Sequence, residues 1–443
     1  MIIVRWASQS IRRSPKKRRV TRSAVFRRGT QCSLARLSAV VTLAAVGVLK
    51  KRFAAWSLLF VVCWVNLVSY VPWRRDAHLG AGGDAVEYFQ MSQRTFAPVD
   101  NPFALRVLSP WLVHTGHRLT GLSPDTVWIA LTFTATLASV IVLHELLRRR
   151  FAVSGFVAVV VASMLACTFW YAPYLFGNPW LVDPLNNLFI VLGLWLAFSG
   201  RLGWFTAVVV IGSVNKETML LLAPLYPLLA LTRSRRVTRE VLLGTAAVAF
   251  AACAYFAFRT WAIARIGADY NLGTGQANHS LVDNIRFAIS TAQGRDHLAI
   301  WSVLSFTWLI WLVGLHHLRR TGAGHPLIPT SAWTLLTCLL GRLMATDTER
   351  VFTMMVPIVL IVVAVTLDTL QSPWHRPWIV LLAALYTAIQ LRWTSATLPM
   401  EALALLIFTA LFTPWHRLRH STPPGAISPP IPTQDREPQH DHA

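Results

Sequence analysis

Charged residues that could perform acid–base or anion-binding chemistry interrupt long apolar runs at a few places. Four short segments carry them: Asp84 and Glu87; Arg106; Asp183; and Lys216 and Glu217 together with Asp347 and Arg350. A carboxylate can take a proton from a reacting hydroxyl, and arginine and lysine can bind a phosphate. The residue types therefore predict a site in which a general base lies beside an anion-binding group.

The acidic segment follows a pair of glycines, Gly82 and Gly83. Glycine lets the backbone bring Asp84 close to a ligand. Asp84, Glu87 and Tyr88 share one face of a helix, because their spacing is three and four residues. An alternative interpretation is a capping-box-like pair in which Asp84 starts the helix and Glu87 occupies its third position. The two roles are compatible.

Arg106 and Asp183 each have a structural interpretation beside the functional one. Arg106 lies in a segment with helical alternation of polar and apolar residues, which predicts interfacial helices in the loop 76–124. It binds a phosphate or extends to the headgroup level of a bilayer. Asp183 binds substrate or caps the following helix, in which Pro184 occupies the first position.

The fourth segment pairs Asn215-Lys216-Glu217-Thr218 with the stretch from Asp347 to Arg350. Lys216 and Glu217 neutralise each other in one interpretation, and Arg350 pairs with Asp347 or Glu349. In the other interpretation Lys216 and Arg350 point from broken helices into an outer cavity and bind an anion. We expect Glu217, Asp183 and Asp347 to contribute to the same binding site.

The composition indicates which elements position these residues. The chain has 443 residues, of which 54% are hydrophobic and 14% charged, with a formal net charge of +22. Soluble domains carry roughly 25% charged residues, so the composition excludes an ordinary soluble protein. Apolar runs separate the basic residues, which argues against nucleic acid as a partner. A multi-pass membrane protein with basic cytoplasmic loops explains both features.

Apolar runs of spanning length recur along most of the chain. They lie near 53–73, 125–147, 151–172, 184–200, 238–262, 298–316, 327–345, 350–370, 377–393 and 398–415. Two shorter runs, 204–214 and 219–231, flank the Lys216 segment as a broken pair rather than one long helix, because only the pair keeps the strongest basic clusters on one face. We expect an all-α fold with about twelve membrane elements and both termini in the cytoplasm.

The two ends of the chain differ from its middle. Residues 1–52 form a basic N-terminal extension with a short apolar stretch at 34–49, and residues 416–443 form a proline-rich disordered cytoplasmic tail. The intervening residues 53–415 form the transmembrane domain. Four of the five cysteines lie in apolar runs, so we expect small buried thiols and no disulfide framework.

The middle of the chain resembles bacterial multi-pass glycosyltransferases of the GT-C architecture over about residues 53–415. The resemblance rests on Gly82-Gly83-Asp84-Ala85-x-Glu87-Tyr88, on Pro102-Phe103-x-x-Arg106-Val107-Leu108-x-Pro110-Trp111-Leu112, on Lys216-Glu217-Thr218, and on Asp347-x-x-Arg350 followed by a helix with Pro357. The family has an early transmembrane helix followed by an outer loop with an acidic residue. In this chain the acidic pair is Asp84 and Glu87 rather than two adjacent carboxylates.

The resemblance implies transfer of a sugar from a polyprenyl-phosphate carrier on the outer face of the bacterial inner membrane. Asp84 then matches the acidic residue that acts as base or as metal ligand, with Glu87 assisting it. Lys216 and Arg350 bind the donor phosphate, with Arg106 as a third cation. No cofactor is assigned, although the family admits a divalent metal. One direct displacement inverts the anomeric centre.

Other function classes fit parts of the same pattern. Broken helices with charged ends are also used by transporters or flippases of lipid-linked or anionic solutes. The polar residues collect at one face and no internal repeat is evident, which favours surface chemistry over alternating access. A surface-polysaccharide polymerase or ligase would share the lipid-phosphate site. A structural membrane protein would not explain why acidic and basic groups converge.

Overall fold

The computed structural model describes residues 50–72, 84–97, 99, 103–266, 296–321, 325–342, 347–369, 375–391 and 397–412. Within these ranges the regular secondary structure is entirely helical, as the sequence predicts. The stretch 34–49, most of the loop 266–297 and the tail 416–443 lie outside the described residues, and so does Cys32.

The described α-helices are numbered in chain order. They are α1 (Lys50–Tyr70), α2 (Asp84–Gln93), α3 (Leu108–Thr120), α4 (Pro124–Arg150), α5 (Gly155–Cys167), α6 (Pro173–Gly177), α7 (Asp183–Phe198), α8 (Leu202–Asn215), α9 (Leu225–Ser234), α10 (Arg239–Ile266), α11 (Asp296–Leu304), α12 (Thr307–Thr321), α13 (Leu327–Arg342), α14 (Thr348–Phe352), α15 (Met355–Asp368), α16 (Arg376–Gln390) and α17 (Thr397–Phe412). Two 3₁₀ helices, Phe103–Leu105 and Glu217–Leu222, lie between them.

The centre of the main core is α15. Twelve of its fourteen residues are buried, because its sequence is apolar on every side and a helix of that kind needs partners all round. It packs against α5, α12 and α13, while α4 packs against α5 and α7. A smaller core beside it contains Tyr88, Trp128 and Trp180 and fixes α2 against the beginning of α4.

Three described helices, α1, α4 and α10, are long and apolar enough to cross a membrane. The pair α11 and α12 makes a fourth if it forms one span, but it is bent by 80°. Large apolar side chains such as Phe53 and Trp64 on α1 and Phe250 on α10 are exposed, as expected for helices that face lipid. Five further apolar helices are shorter than a full span.

The predicted break around Lys216 is confirmed, because α8 ends at Asn215 and α9 begins only at Leu225. The run near 298–316 was expected to be one helix, and that prediction is wrong. The chain turns at Ser305, whose φ of 51° takes it out of the helical region. The run near 350–370 is likewise divided into α14 and α15.

Local sequence signals account for several helix ends. Ser123 caps α4 by accepting a hydrogen bond of 3.2 Å from the Thr126 backbone N–H, and Pro124 is the first helical residue. Ser154 caps α5, whose 13 residues, Gly155–Cys167, are fewer than the run 151–172 suggested.

Among the described cysteines, Cys253 is exposed, contrary to the expectation of a buried thiol.

Candidate functional site

Charged residues from four separate parts of the chain meet in one ion-pair network, defined as Asp84, Asp183, Lys216, Asp347 and Arg350. Asp84 is the first residue of α2, and Asp183 is the first residue of α7. Both begin helices, where a carboxylate is stabilised by the positive end of the helix dipole.

Arg350 on α14 is the central residue of the network. Its Nη1 donates a hydrogen bond of 2.7 Å to Asp84 Oδ2, and its Nη2 donates one of 2.6 Å to Asp183 Oδ2. Lys216 Nζ lies 2.6 Å from the other oxygen of Asp183. Asp347 Oδ2 is 3.4 Å from Arg350 Nη1. Two cations therefore converge on one carboxylate that is only 6% exposed.

The capping interpretation of Asp183 is wrong, because its side chain binds Lys216 and Arg350 and makes no capping hydrogen bond. Pro184 is the second residue of α7 rather than the first as predicted, because the helix begins at Asp183. Asp347, by contrast, is a helix cap in addition to its ion pair, since its side chain accepts a hydrogen bond from the Arg350 backbone N–H at 3.4 Å.

Arg106 and Glu217 form a second ion pair beside the network. Both oxygens of Glu217 accept hydrogen bonds from the guanidinium, and Arg106 Nη1 donates one of 2.8 Å to the Tyr88 hydroxyl. The Arg106 guanidinium also lies 5.8 Å from the centre of the Phe103 ring. Arg106 is thus largely buried, which overturns the interpretation of a side chain that extends to the headgroups.

Burial would raise the pKa of Glu217, but the charge of Arg106 and its hydrogen bond outweigh burial and lower the pKa to about 2. Burial lowers the pKa of Lys216. The negative charge of Asp183 opposes this effect, whereas the positive charges of Arg350 and Arg106 lower the pKa further. Lys216 and Glu217 do not simply neutralise each other, because each pairs with a different residue.

The break after α8 positions Lys216. Its backbone leaves the helix in an extended conformation, with φ of −157° and ψ of 127°. Asn215 fixes the break: its Oδ1 accepts a hydrogen bond of 2.5 Å from Ser109 Oγ, and its Nδ2 donates one of 2.9 Å to the Val182 carbonyl. The same amide therefore ties the end of α8 to the residue that precedes Asp183.

Two buried nitrogen donors have no hydrogen-bond partner among the described residues: Arg350 Nε, within the network, and Trp170 Nε1. Trp170 packs against Tyr174 with ring centres 4.7 Å apart. Tyr174 lies close enough to Asp84, Asp183 and Arg350 to interact with their charges. The rings of Phe169, Trp170 and Tyr174 pack against one another and are here called the aromatic shelf. An unpaired buried donor is costly, and Arg350 Nε is such a donor at the centre of the network.

Most of the predicted site residues are brought together, including Asp84, Asp183, Lys216 and Arg350, and Arg106 and Glu217 lie beside them. Glu87 is half-buried one turn along α2 from Asp84, and its assisting role stays a prediction. The sequence pattern did not predict the aromatic shelf or the positioning roles of Ser109 and Asn215. Aromatic residues near membrane edges are usually interfacial anchors. The sequence pattern therefore did not indicate that Phe169, Trp170 and Tyr174 pack together.

The carboxylates of the network are directed at the Arg350 guanidinium rather than at a common point. Within the described part of the chain, no three His, Cys, Asp or Glu side chains are grouped so that they could hold a metal ion. The network therefore does not fit a metal site, and we derive no step through a metal.

Comparison with known proteins finds no family whose model matches the chain and no curated protein that matches it.

Proposed function

We propose that the protein is a membrane glycosyltransferase that moves a sugar from a polyprenyl-phosphate donor to an acceptor hydroxyl. The proposal includes a GT-C-like arrangement of about twelve membrane elements in the bacterial inner membrane. Both termini lie in the cytoplasm, and the ion-pair network lies at the outer face. It rests on the sequence resemblance and on the chemistry that the network can perform.

The observation that carries the proposal is the set of contacts made by Arg350. Its guanidinium is bound by Asp84 and Asp183, which are nearly 100 residues apart in the chain, while its Nε has no partner among the described residues. Asp183 in turn bridges Arg350 to Lys216. A phosphate can replace a carboxylate on such cations, because both anions accept the same charge-assisted hydrogen bonds.

The proposed reaction is a single displacement. When the donor phosphate binds Arg350 and Lys216, Asp84 is released from the guanidinium and can accept a proton. The acceptor oxygen attacks the anomeric carbon, the bond from that carbon to the phosphate oxygen breaks, and the hydroxyl proton passes to Asp84. Arg350 and Lys216 stabilise the charge that develops on the departing lipid phosphate. The anomeric configuration is inverted.

The aromatic shelf supports a sugar as the transferred group. Sugar rings present apolar faces that stack on aromatic side chains, and the partly exposed Trp170 side chain offers such a surface. Tyr174 is partly exposed and lies close enough to Arg350 to interact with its charge. The sugar would then lie between the shelf and Asp84, next to the bond that breaks.

The proposal is tested by incubating the purified protein in lipid vesicles with polyprenyl-phosphate-linked sugars and following release of free polyprenyl phosphate. Asp84→Asn lacks the base and is expected to lower the rate by at least 100-fold, consistent with general-base catalysis of ~10²–10⁴. Arg350→Ala is expected to lower both donor affinity and rate.

Glu349→Gln is the matched control, because Glu349 is a carboxylate next to Arg350 but outside the network as defined. It is expected to keep the wild-type rate. Full transfer activity in both Asp84→Asn and Arg350→Ala would refute the mechanism. Movement of the intact donor across the bilayer without release of polyprenyl phosphate would identify a flippase instead.

A further inference from the structure

Three arginines from different parts of the chain meet near the end of α8 that is farthest from Lys216. Arg150 is the last residue of α4, Arg201 immediately precedes α8, and Arg233 lies in the last turn of α9. Arg150 is close enough to the other two for their positive charges to repel. We call Arg150, Arg201 and Arg233 the arginine cluster.

The turn between α7 and α8 holds the cluster together. Arg150 Nε donates a hydrogen bond of 2.9 Å to Ser199 Oγ. Gly200 has a φ of 68°, and a methyl group on it would lie 3.8 Å from Arg233 Nη1. Glu240 pairs with Arg233 at 2.7 Å. Three cations against this one carboxylate leave a surplus of positive charge, and Arg201 is exposed.

An apolar groove begins directly beside the cluster, between α8 and α10. Its volume is about 610 Å³, and it is lined by residues that include Leu202, Gly203, Ala207, Ala246, Ala247 and Phe250. Ligand clefts in proteins commonly measure ~300–1,000 Å³. The Thr206 hydroxyl also lines it, but donates to the Leu202 carbonyl at 2.9 Å. The groove therefore presents a hydrocarbon surface.

The two features form one amphipathic site. Arg201 is adjacent in sequence to Leu202 and Gly203 of the groove, and α10 carries Glu240 just before the groove residues on that helix. A molecule that fills both must have a negatively charged head joined to a hydrocarbon chain. The head needs phosphate-like charge, because guanidinium groups bind such oxyanions strongly.

We propose that this surface binds an anionic phospholipid, with its phosphate on the arginine cluster and one acyl chain in the groove. The α8 helix has 14 residues and so is roughly 20 Å long, which separates this site from the ion-pair network at Lys216. The lipid links α4, α8, α9 and α10 at their common end. The proposal does not depend on the glycosyltransferase function.

The test is native mass spectrometry of delipidated protein titrated with phosphatidylglycerol or with phosphatidylcholine that has the same acyl chains. Each arginine near a lipid headgroup contributes about fivefold in affinity. Wild-type protein is expected to bind phosphatidylglycerol at least fivefold more tightly than phosphatidylcholine. Arg201→Gln and Arg233→Gln are each expected to reduce that preference about fivefold.

Two further variants separate the headgroup from the chain. Gly203→Leu adds an apolar side chain to the groove, at a position where a methyl group meets no atom within 4 Å. It is expected to weaken both lipids about equally. Arg319→Gln removes an exposed arginine from α12 and is the control for a general loss of positive charge.

Equal binding of the two lipids by wild-type protein would overturn the proposal. So would a loss of preference in Arg319→Gln as large as in Arg201→Gln, since that result would indicate diffuse attraction to charge. Tight binding of glycerol phosphate that Gly203→Leu leaves unchanged, without stronger binding of the whole lipid, would indicate a site for a free phosphate instead.

Discussion

The proposed chemistry depends on which carboxylate pairs with each cation of the network. The sequence predicted that Asp84, Lys216 and Arg350 belong together, because these residue types interrupt apolar runs and ionisable groups near lipid are rarely incidental. It could not predict that Asp183 joins Lys216 to Arg350, or that Glu217 turns to Arg106. Those pairings depend on side-chain directions that only the packed helices fix.

Asp183 is expected to stabilise the fold more than the other acidic residues of the network. Its carboxylate is 6% exposed and bound by two cations, so Asp183→Asn leaves buried positive charge short of a partner. Breaking such a buried pair costs about 3–5 kcal/mol. Chemical denaturation in detergent should show this loss. Asp347→Asn, at a position 38% exposed, should cost at most about 1 kcal/mol, and an equal loss in both variants would contradict the network.

The lowered pKa of Glu217 predicts that the stability of the folded protein depends on pH in the acidic range. Its pKa falls from an ordinary 4.5 to about 2 in the folded protein, because of Arg106. The folded state thus holds the proton less tightly than the unfolded state. The contribution to stability is present above pH 4.5 and is lost as the pH falls through about 2. The unfolding midpoint of wild-type protein should fall more steeply over this range than that of Glu217→Gln, and parallel curves would argue against the ion pair.

At the element scale, hydrophobic periodicity and length predicted most helices but not their interruptions. Asn215-Lys216-Glu217 was recognisable as a break because charged residues stand inside an apolar run. No charged residue interrupts the apolar run at Ser305, and serine itself is common within helices, so the sequence does not indicate this turn. It is held by distant contacts, with Ser305 Oγ and Trp301 Nε1 both donating to Glu401 on α17. Such contacts come from tertiary packing, which a local sequence pattern does not report.

Helix α12 approaches the central helix α15 closely at Gly314. A methyl group there would lie 2.8 Å from Val362 Cγ1 and would also meet the Thr366 hydroxyl. Both neighbours are β-branched and rigid, so Gly314→Ala should destabilise the protein by about 1–3 kcal/mol through overpacking. Gly203→Ala, where a methyl group has open space, is the control. Unchanged thermal stability in Gly314→Ala would show that the two helices are not packed this closely.

At the scale of the whole molecule, composition predicted a helical membrane protein, and the described residues contain helices able to cross a membrane. Neither the composition nor the length of the described helices determines how many times the chain crosses the membrane. Several apolar helices, such as α5 and α8, are shorter than the hydrocarbon layer requires. They can cross where the bilayer thins locally around them or end within the protein, and apolar content alone does not distinguish these cases.

The proposed topology places Glu349 and Arg236 on opposite sides of the membrane. We expect E349C, introduced into cysteine-free protein, to react from outside intact cells with a charged maleimide that does not cross membranes. R236C should react only after the membrane is opened. Reaction of both positions from the same side would refute the topology but would leave the helix packing intact.

In the proposed mechanism, Arg350 and Lys216 form a binding site for the phosphate of a polyprenyl carrier. The most direct test is the affinity of purified protein for polyprenyl phosphate, measured for wild-type protein, Arg350→Ala and Lys216→Ala in the same lipid nanodiscs. A charge-assisted hydrogen bond contributes about 1.5–3 kcal/mol, so Arg350→Ala and Lys216→Ala should each bind polyprenyl phosphate at least tenfold more weakly than wild-type protein. The control is Arg320→Ala, at an exposed position on α12, which should bind with wild-type affinity. Wild-type affinity in folded Arg350→Ala and Lys216→Ala would contradict the account.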